Sequence, residues 1–132
     1  MHTDRKPENS LELLEAGLTE AVLKAAFKVQ NALGCGFLER VYENALGVEL
    51  SRMGLKVERQ KPMQVRYDGI VVGEYQADLI VEGRVIIECK AVSTFDAIHE
   101  AQLLNYLKAT GIRVGLLLNF GKPRLQHLRL VV

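Results

Sequence analysis

The amino-acid sequence predicts a mixed α/β fold, in which helices pack on a single mixed sheet. Two helical patterns come first, three strand-like runs with short turns follow, and a third helix precedes two further apolar runs. The predicted order is therefore α-α-β-β-β-α-β-β. The 132 residues, of which 48% are hydrophobic, suffice for one domain with a core of moderate size.

The N-terminal residues 1–10 are polar and are expected to form a flexible arm, which leaves residues 11–132 as the single domain. This arm lacks the apolar segment of a secretory signal. No apolar stretch approaches the roughly 20 residues that span a bilayer, so no membrane partner is predicted. Cys35 and Cys89 lack the spacing of a zinc site or a disulfide framework, and free thiols favour a cytoplasmic location.

Two helices are predicted ahead of the strands. Leu18 to Leu33 carries apolar residues at helical spacing, and the glycines around Cys35 end it. Phe37 to Met53 is the second helix, in which Glu39 lies at the margin of the apolar face and Glu43 is expected to be solvent-exposed. The predicted apolar face of this helix consists of Leu38, Val41, Tyr42, Ala45 and Val48.

Three strand-like runs follow, from Lys56 to Tyr67, from Val72 to Val81 and from Arg84 to Val92. Asp68-Gly69 and Glu82-Gly83 mark the turns between them. Strands joined by such short turns predict an antiparallel meander.

A third helix and two strands complete the predicted sheet. Ser93 and Thr94 are predicted to cap a helix that extends to about Thr110. Val114 to Phe120 is an apolar run suited to a strand that is covered on both faces. Leu125 to Val132 alternates as expected for a final edge strand.

A charged triplet at the end of the third strand is the strongest indication of function. Glu88-Cys89-Lys90 follows a β-branched apolar run, and Asp78 lies on the preceding strand. Buried charges are unfavourable unless they are paired or coordinate a metal. Two carboxylates beside a lysine therefore predict a site for a divalent cation such as Mg²⁺, which would lower the pKa of a bound water for phosphodiester hydrolysis. Alternating charges are also common on exposed strands, so the triplet alone fits a solvated strand end.

The proposed site sets a condition on the hairpin register. Alternation places Glu88 and Lys90 on one strand face and Cys89 on the other, where Cys89 is expected to be a small core residue. A two-residue loop at Glu82-Gly83 would direct Asp78 to the face away from Glu88. A three-residue loop, or a bulge near Asp78, is therefore expected, and Asp78 must share a face with Glu88.

The distribution of charge favours a nucleic-acid partner more than the net charge of +1 does. Residues 101–132 contain no acidic side chain, and residues 52–66 are also rich in bases. A basic surface around an acidic metal site is what binding to the phosphate backbone of DNA would require. Solvated lysine and arginine side chains of no special role are the alternative. The basic residues of the C-terminal segment are Lys108, Arg113, Lys122, Arg124 and Arg129.

A series of ordered motifs resembles the GxxExxY family, which is placed within the PD-(D/E)XK nuclease superfamily. The likeness spans roughly residues 18–131, with Gln30 standing where a histidine is common and Cys35 where a proline is usual. Neither departure affects the proposed metal ligands. The motifs are Gly36-x-x-Glu39-x-x-Tyr42, Tyr75-x-Ala77-Asp78-Leu79, Glu88-x-Lys90-Ala91 and Gln102-x-x-x-Tyr106.

The resemblance implies a restriction-endonuclease-like core, α-β-β-β-α-β, with an extra N-terminal helix and a C-terminal edge strand. It implies that Asp78, Glu88 and the carbonyl of Cys89 bind Mg²⁺ or Mn²⁺. Lys90 would be the catalytic lysine, and Glu39 would be the helix-borne acid that completes the site.

The same resemblance gives Gln102 and Tyr106 a role in positioning the substrate and the lysine. The function that it implies is a metal-dependent deoxyribonuclease. Because one such site cuts one strand, a symmetric homodimer would be a natural route to double-strand cleavage. The alternative is a non-catalytic module that keeps the nuclease fold for nucleic-acid binding or regulation.

Overall fold

The structure, a computed structural model, describes residues 14–132, so the predicted arm at residues 1–10 lies outside it. Within the described residues the order α-α-β-β-β-α-β-β is confirmed. Among them, no helix combines the length and the apolar character that crossing a membrane requires. The elements are α1 (Ala16–Leu33), α2 (Glu39–Arg52), β1 (Val57–Tyr67), β2 (Ile70–Val81), β3 (Val85–Lys90), α3 (Ala97–Thr110), β4 (Val114–Asn119) and β5 (Gln126–Val131).

The strands form one mixed sheet in the order β1-β2-β3-β4-β5. The first three pair antiparallel, as the short turns predict, while β4 is parallel to β3 and β5 is antiparallel to β4. A parallel neighbour needs a crossover connection, and α3 provides it between β3 and β4. Every residue of β4 is buried, and β5 lies at the edge, both as predicted.

Helices cover both faces of the sheet and form two cores. On one face α1 and α2 pack over side chains such as Ile87 and Leu118. On the other, α3 packs over Ile86 and Leu117. Because neighbouring residues of β3 enter different cores, the strand must alternate without interruption up to its charged end. Cys89 enters the first of these cores and is fully buried, as predicted.

The predicted apolar face of α2 is right for Tyr42 and Ala45, which lie in or against the core, and wrong for the other three residues. Leu38, Val41 and Val48 are 81%, 37% and 46% exposed, whereas Glu43, expected in solvent, is only 3% exposed. The face of α2 that is buried is rotated relative to the predicted one and includes an acidic residue and a glycine. Its members are Tyr42, Glu43, Leu46, Gly47 and Leu50.

Polar side chains of β1 explain this rotation of α2. The Arg59 side chain packs over Gly47, where a Cβ would lie 3.5 Å from it, and it donates to Asn44. The amide of Gln60 donates to Oε2 of Glu43 at 2.8 Å. These long-range contacts satisfy polar groups that hydrophobic periodicity assigns to solvent.

The start of α3 also differs from the prediction, because Asp96 rather than Ser93 or Thr94 is the N-cap. Oδ1 of Asp96 accepts from the backbone N–H of Ile98 at 3.2 Å, and Nδ1 of His99 accepts from the backbone N–H of Asp96 at 3.3 Å. This reciprocal arrangement provides acceptors for two backbone N–H groups that have no partner within the helix. The helix therefore begins at Ala97.

Candidate active site between strands β2 and β3

The hairpin between β2 and β3 has the three-residue loop that the site requires, formed by residues 82–84. The last paired residues before the ladder stops are Leu79 and Ile87. Continuing this register by one residue places Asp78 opposite Glu88. The two residues are adjacent, since Oε2 of Glu88 lies 3.5 Å from the backbone nitrogen of Asp78. The predicted odd register is therefore confirmed.

Asp78 lies where β2 changes the direction of its side chains. Tyr75 and Ala77 pack beneath α3, whereas Leu79 packs beneath α1 and α2. Between these two segments, Oδ2 of Asp78 accepts from the backbone N–H of Cys89 at 2.8 Å. The carboxylate thus occupies a position that a strand carbonyl would take in a continuous ladder.

Glu88 and Lys90 lie on the α3 side of the sheet. They line a small cleft together with both polar residues of the predicted Gln-x-x-x-Tyr element, Gln102 and Tyr106. The hydroxyl of Tyr75 donates to Oε2 of Glu88, and its ring stacks on Tyr106 with centroids 3.6 Å apart. The Glu88 carboxylate is therefore connected through Tyr75 to α3, the helix that carries Gln102 and Tyr106.

The environment of Glu88 disfavours its charged form. Burial, and then the neighbouring Asp78 carboxylate, raise the pKa of Glu88 to about 7, against the lowering effects of the Tyr75 hydroxyl and the Lys90 ammonium. Burial and the Glu88 charge also raise the pKa of the Tyr75 hydroxyl, which therefore remains a donor. A cation beside two such carboxylates would favour their ionised forms.

Asp78 also lines a second, wider cleft on the α2 side of the sheet, with a volume of about 490 Å³. Glu39, the first residue of α2, is exposed there, and Arg40 lines the same cleft. Glu43 lies deeper, 3.6 Å from the Arg40 side chain, and burial is the main cause that raises its pKa. Of the acids on α2, Glu43 is the one that connects to Asp78, through Gln60.

The predicted site residues are thus divided between two clefts that meet at Asp78 and Glu88. Asp78 and Glu39 line the α2-side cleft, while Glu88 and Lys90 line the α3-side cleft. The predicted requirement that Asp78 and Glu88 share one face is not met, because β2 switches faces at Asp78, and the two residues are instead adjacent where the β2–β3 ladder stops. Within residues 14–132, no group of three His, Cys, Asp or Glu side chains is arranged to hold a metal.

The glycine and tyrosine of the Gly-x-x-Glu-x-x-Tyr motif shape the turn that precedes α2. Gly36 has φ of 117°, which favours glycine. The hydroxyl of the fully buried Tyr42 donates to the carbonyl of Gly34 at 2.6 Å and accepts from the backbone N–H of Phe37 at 3.2 Å. This closed turn places Glu39 at the start of the helix, beside the cleft.

The chain segment after Lys90 is held by the end of β4. The carbonyl of Lys90 accepts from Phe120 N–H at 2.8 Å, and the Asn119 amide both donates to and accepts from the backbone of Val92 at 2.9 and 3.0 Å. Gly121 packs so closely that a Cβ there would lie 2.5 Å from Val92 backbone atoms. The chain that leaves β3 after Lys90 is therefore held in place by the end of β4.

Sequence reasoning missed three polar residues of this site: Glu43, Gln60 and Tyr75. Tyr75 lies within a motif of the family resemblance, three positions before Asp78, and that spacing is the signal that could have found it. Glu43 and Gln60 carry no comparable signal, since their interaction joins residues 17 positions apart.

The carboxylates present fit a hard dication better than a closed zinc site. Mg²⁺ binds through one or two carboxylates and keeps several waters, so it needs no cluster of three side chains. Each carboxylate oxygen has two lone pairs. Asp78 therefore retains acceptor capacity beyond its bonds to Cys89 and Gln60.

Comparison with known proteins agrees with this architecture. A family model described as the PD-(D/E)XK nuclease superfamily matches residues 16–130. The crystal structure of SSO0001 is similar, with a TM-score of 0.54 and 16% identity over 98% of this chain and 70% of that one, a likeness that concerns the fold alone. No curated protein matches the chain. The five-stranded mixed sheet and its helices are consistent with a restriction-endonuclease-like fold.

Proposed function

Because the chain belongs to the PD-(D/E)XK nuclease superfamily, whose nucleases generally use divalent metals, we propose that it is a metal-dependent nuclease that hydrolyses phosphodiester bonds in DNA. The observation that carries this proposal is the adjacency of Asp78 and Glu88 where the β2–β3 ladder stops, with Lys90 on the Glu88 side. The GxxExxY group is the proposed branch of the superfamily, on the strength of Gly36, Glu39 and Tyr42.

Asp78, Glu88 and the carbonyl of Cys89 are the proposed ligands of Mg²⁺ or Mn²⁺. The cation, when bound, supplies positive charge for the phosphate and a water of lowered pKa. The N–H of Cys89 holds the Asp78 carboxylate in place, and the Tyr75 hydroxyl holds that of Glu88. Both carboxylates are thus oriented before any cation arrives.

Lys90 is the proposed catalytic lysine. It lines the α3-side cleft beside Glu88, where its ammonium can orient the attacking water or pair with the scissile phosphate. Gln102 and Tyr106 line the same cleft and are the proposed substrate-positioning residues. The stack of Tyr106 on Tyr75 fixes the distance between α3 and the Glu88 carboxylate.

Glu39 is proposed to act at the entrance of the α2-side cleft rather than in its depth. Its exposed position at the start of α2 suits a group that meets water or substrate. Arg40, also exposed, offers a guanidinium to a phosphate oxygen at the same entrance. A symmetric homodimer is proposed for double-strand cleavage, and the cytoplasm as the location.

The test is a cleavage assay on single- and double-stranded DNA and RNA with Mg²⁺ or Mn²⁺. Cleavage of DNA that Asp78→Ala and Lys90→Ala abolish in folded protein is the expected result. Lys24→Ala, which removes an exposed lysine of α1 outside both clefts, is the matched control and should retain activity. Absence of cleavage on every substrate, together with no Mn²⁺ binding by calorimetry, would instead support a non-catalytic module, and cleavage restricted to RNA would refute the DNA assignment.

A further inference from the structure

Gln60 has a backbone conformation that is unusual for a residue with a side chain inside a strand. Its φ of 51° lies in the left-handed region, where a Cβ is disfavoured. The residue lies within β1, at the register position opposite Asp78, and the β1–β2 ladder is interrupted there although it is paired on either side. Such a conformation persists in a structure only where surrounding contacts determine it.

Both strands change faces at this interruption. On β1, Val57 packs beneath α1 and α2, whereas Met63 and Val65 pack beneath α3. The change on β2 occurs at Asp78, as described above. The hairpin of β1 and β2 therefore reverses its alternation at the unpaired position that Gln60 and Asp78 occupy.

This backbone conformation places the Gln60 side chain between two carboxylates. Its Nε2 donates to Oε2 of Glu43 at 2.8 Å and to Oδ1 of Asp78 at 3.3 Å. An amide nitrogen has two N–H donors, so both bonds can be made at once. Glu43 is 3% exposed, so little water is available to replace the donor.

Together with the N–H of Cys89 on Oδ2, the Gln60 amide gives each oxygen of the Asp78 carboxylate one fixed donor. A carboxylate held at both oxygens cannot rotate freely about its terminal bond. The lone pairs that remain then point in fixed directions.

We propose that Gln60 is a positioning residue of the active site, whose amide joins the buried Glu43 to Asp78 and fixes the orientation of the Asp78 carboxylate. The link to catalysis rests on the proposed function, since it assumes that Asp78 is a metal ligand. The left-handed backbone at Gln60 is retained because it aims the amide between the two carboxylates. Gln60 would act through Asp78 and would not contact the substrate.

Gln60→Gly is the decisive substitution, because glycine suits the left-handed backbone and removes the amide. In metal-free protein, hydrogen exchange of the Cys89 amide should accelerate about tenfold relative to the Ile87 amide, the change expected from the loss of one hydrogen bond to a charged group. The Mn²⁺ affinity measured by calorimetry should fall by about the same factor. Gln64→Gly, at an exposed position of β1 with a regular backbone, is the matched control. It should change neither the exchange rate of the Cys89 amide relative to Ile87 nor the Mn²⁺ affinity.

Gln60→Asn provides a second variant if the glycine protein does not fold. Asparagine tolerates left-handed backbone but is one methylene shorter, so it should not reach both carboxylates and should give the same two changes. Unchanged exchange at Cys89 in these variants overturns the proposal, as does altered exchange with unaltered Mn²⁺ affinity. If the unsubstituted protein binds no Mn²⁺, the proposed metal site fails on its own, and the exchange comparison still decides whether Gln60 orients Asp78.

Discussion

Glu88 makes a pH-dependent contribution to stability that can be isolated in metal-free protein. Its pKa is raised from 4.5 to about 7 in the folded chain, so the folded state holds the proton more tightly than the unfolded state does. The corresponding stabilisation is present below pH 4.5 and is lost as the pH rises through 7. At about 1.4 kcal/mol for each pH unit, the loss amounts to at most about 3 kcal/mol.

Glu88→Gln removes this dependence because a glutamine cannot lose the proton, yet it can still accept from the Tyr75 hydroxyl. In EDTA, urea unfolding followed by circular dichroism should give stabilities that differ by no more than about 1 kcal/mol between the two proteins at pH 5. At pH 8 the variant should be the more stable protein, by up to about 3 kcal/mol. Excess Mn²⁺ should stabilise the unsubstituted protein at pH 8 and have little effect on the variant.

Glu20→Gln, which neutralises an exposed glutamate of α1, is the control, and its difference from the unsubstituted protein should not vary with pH. The reasoning is refuted if the difference between Glu88→Gln and the unsubstituted protein is the same at pH 5 and pH 8. Such a result would mean that the folded chain does not disfavour the charged carboxylate.

Two further substitutions test the supports of the site. Tyr75→Phe removes the donor to Glu88 and keeps the ring. We expect the free energy of unfolding in urea at pH 8 to fall by about 1.5–3 kcal/mol, and DNA cleavage to be slower. An unchanged free energy of unfolding together with unchanged cleavage would contradict the role of the hydroxyl. Gly121→Ala forces a Cβ against the backbone of Val92 and should destabilise the protein by about 1–3 kcal/mol, measured by the same unfolding assay. Gly73→Ala, where a Cβ meets nothing within 4 Å, is its control, and equal effects of the two alanines would refute the close packing.

The order of elements could be predicted because it depends on local signals. Apolar periodicity and glycine-marked turns determine the helices and the meander, and they do not depend on distant residues. The odd register at Asp78 and Glu88 could also be predicted, since it depends only on the number of residues in one hairpin loop.

The face of α2 could not be predicted in the same way. Its rotation depends on Arg59 and Gln60, which lie on a strand that the helix meets only in the folded chain. Glu43 is an acidic residue that the sequence pattern assigns to solvent, and its burial is favourable only because Gln60 donates to it. The division of the site between two clefts is equally non-local, because it follows from the switch of faces at the unpaired Gln60 and Asp78.

The position of the site follows from the point at which β2 leaves β3. The two strands pair at only three positions, after which β2 continues along β1 alone. Beyond the last pair, the N–H of Cys89 donates to the Asp78 side chain instead of a strand carbonyl. The same gap leaves Glu88 buried against Asp78, which disfavours its charge. One discontinuity in the sheet therefore orients the Asp78 carboxylate and disfavours the charged form of Glu88, and the proposed divalent cation would favour that charged form.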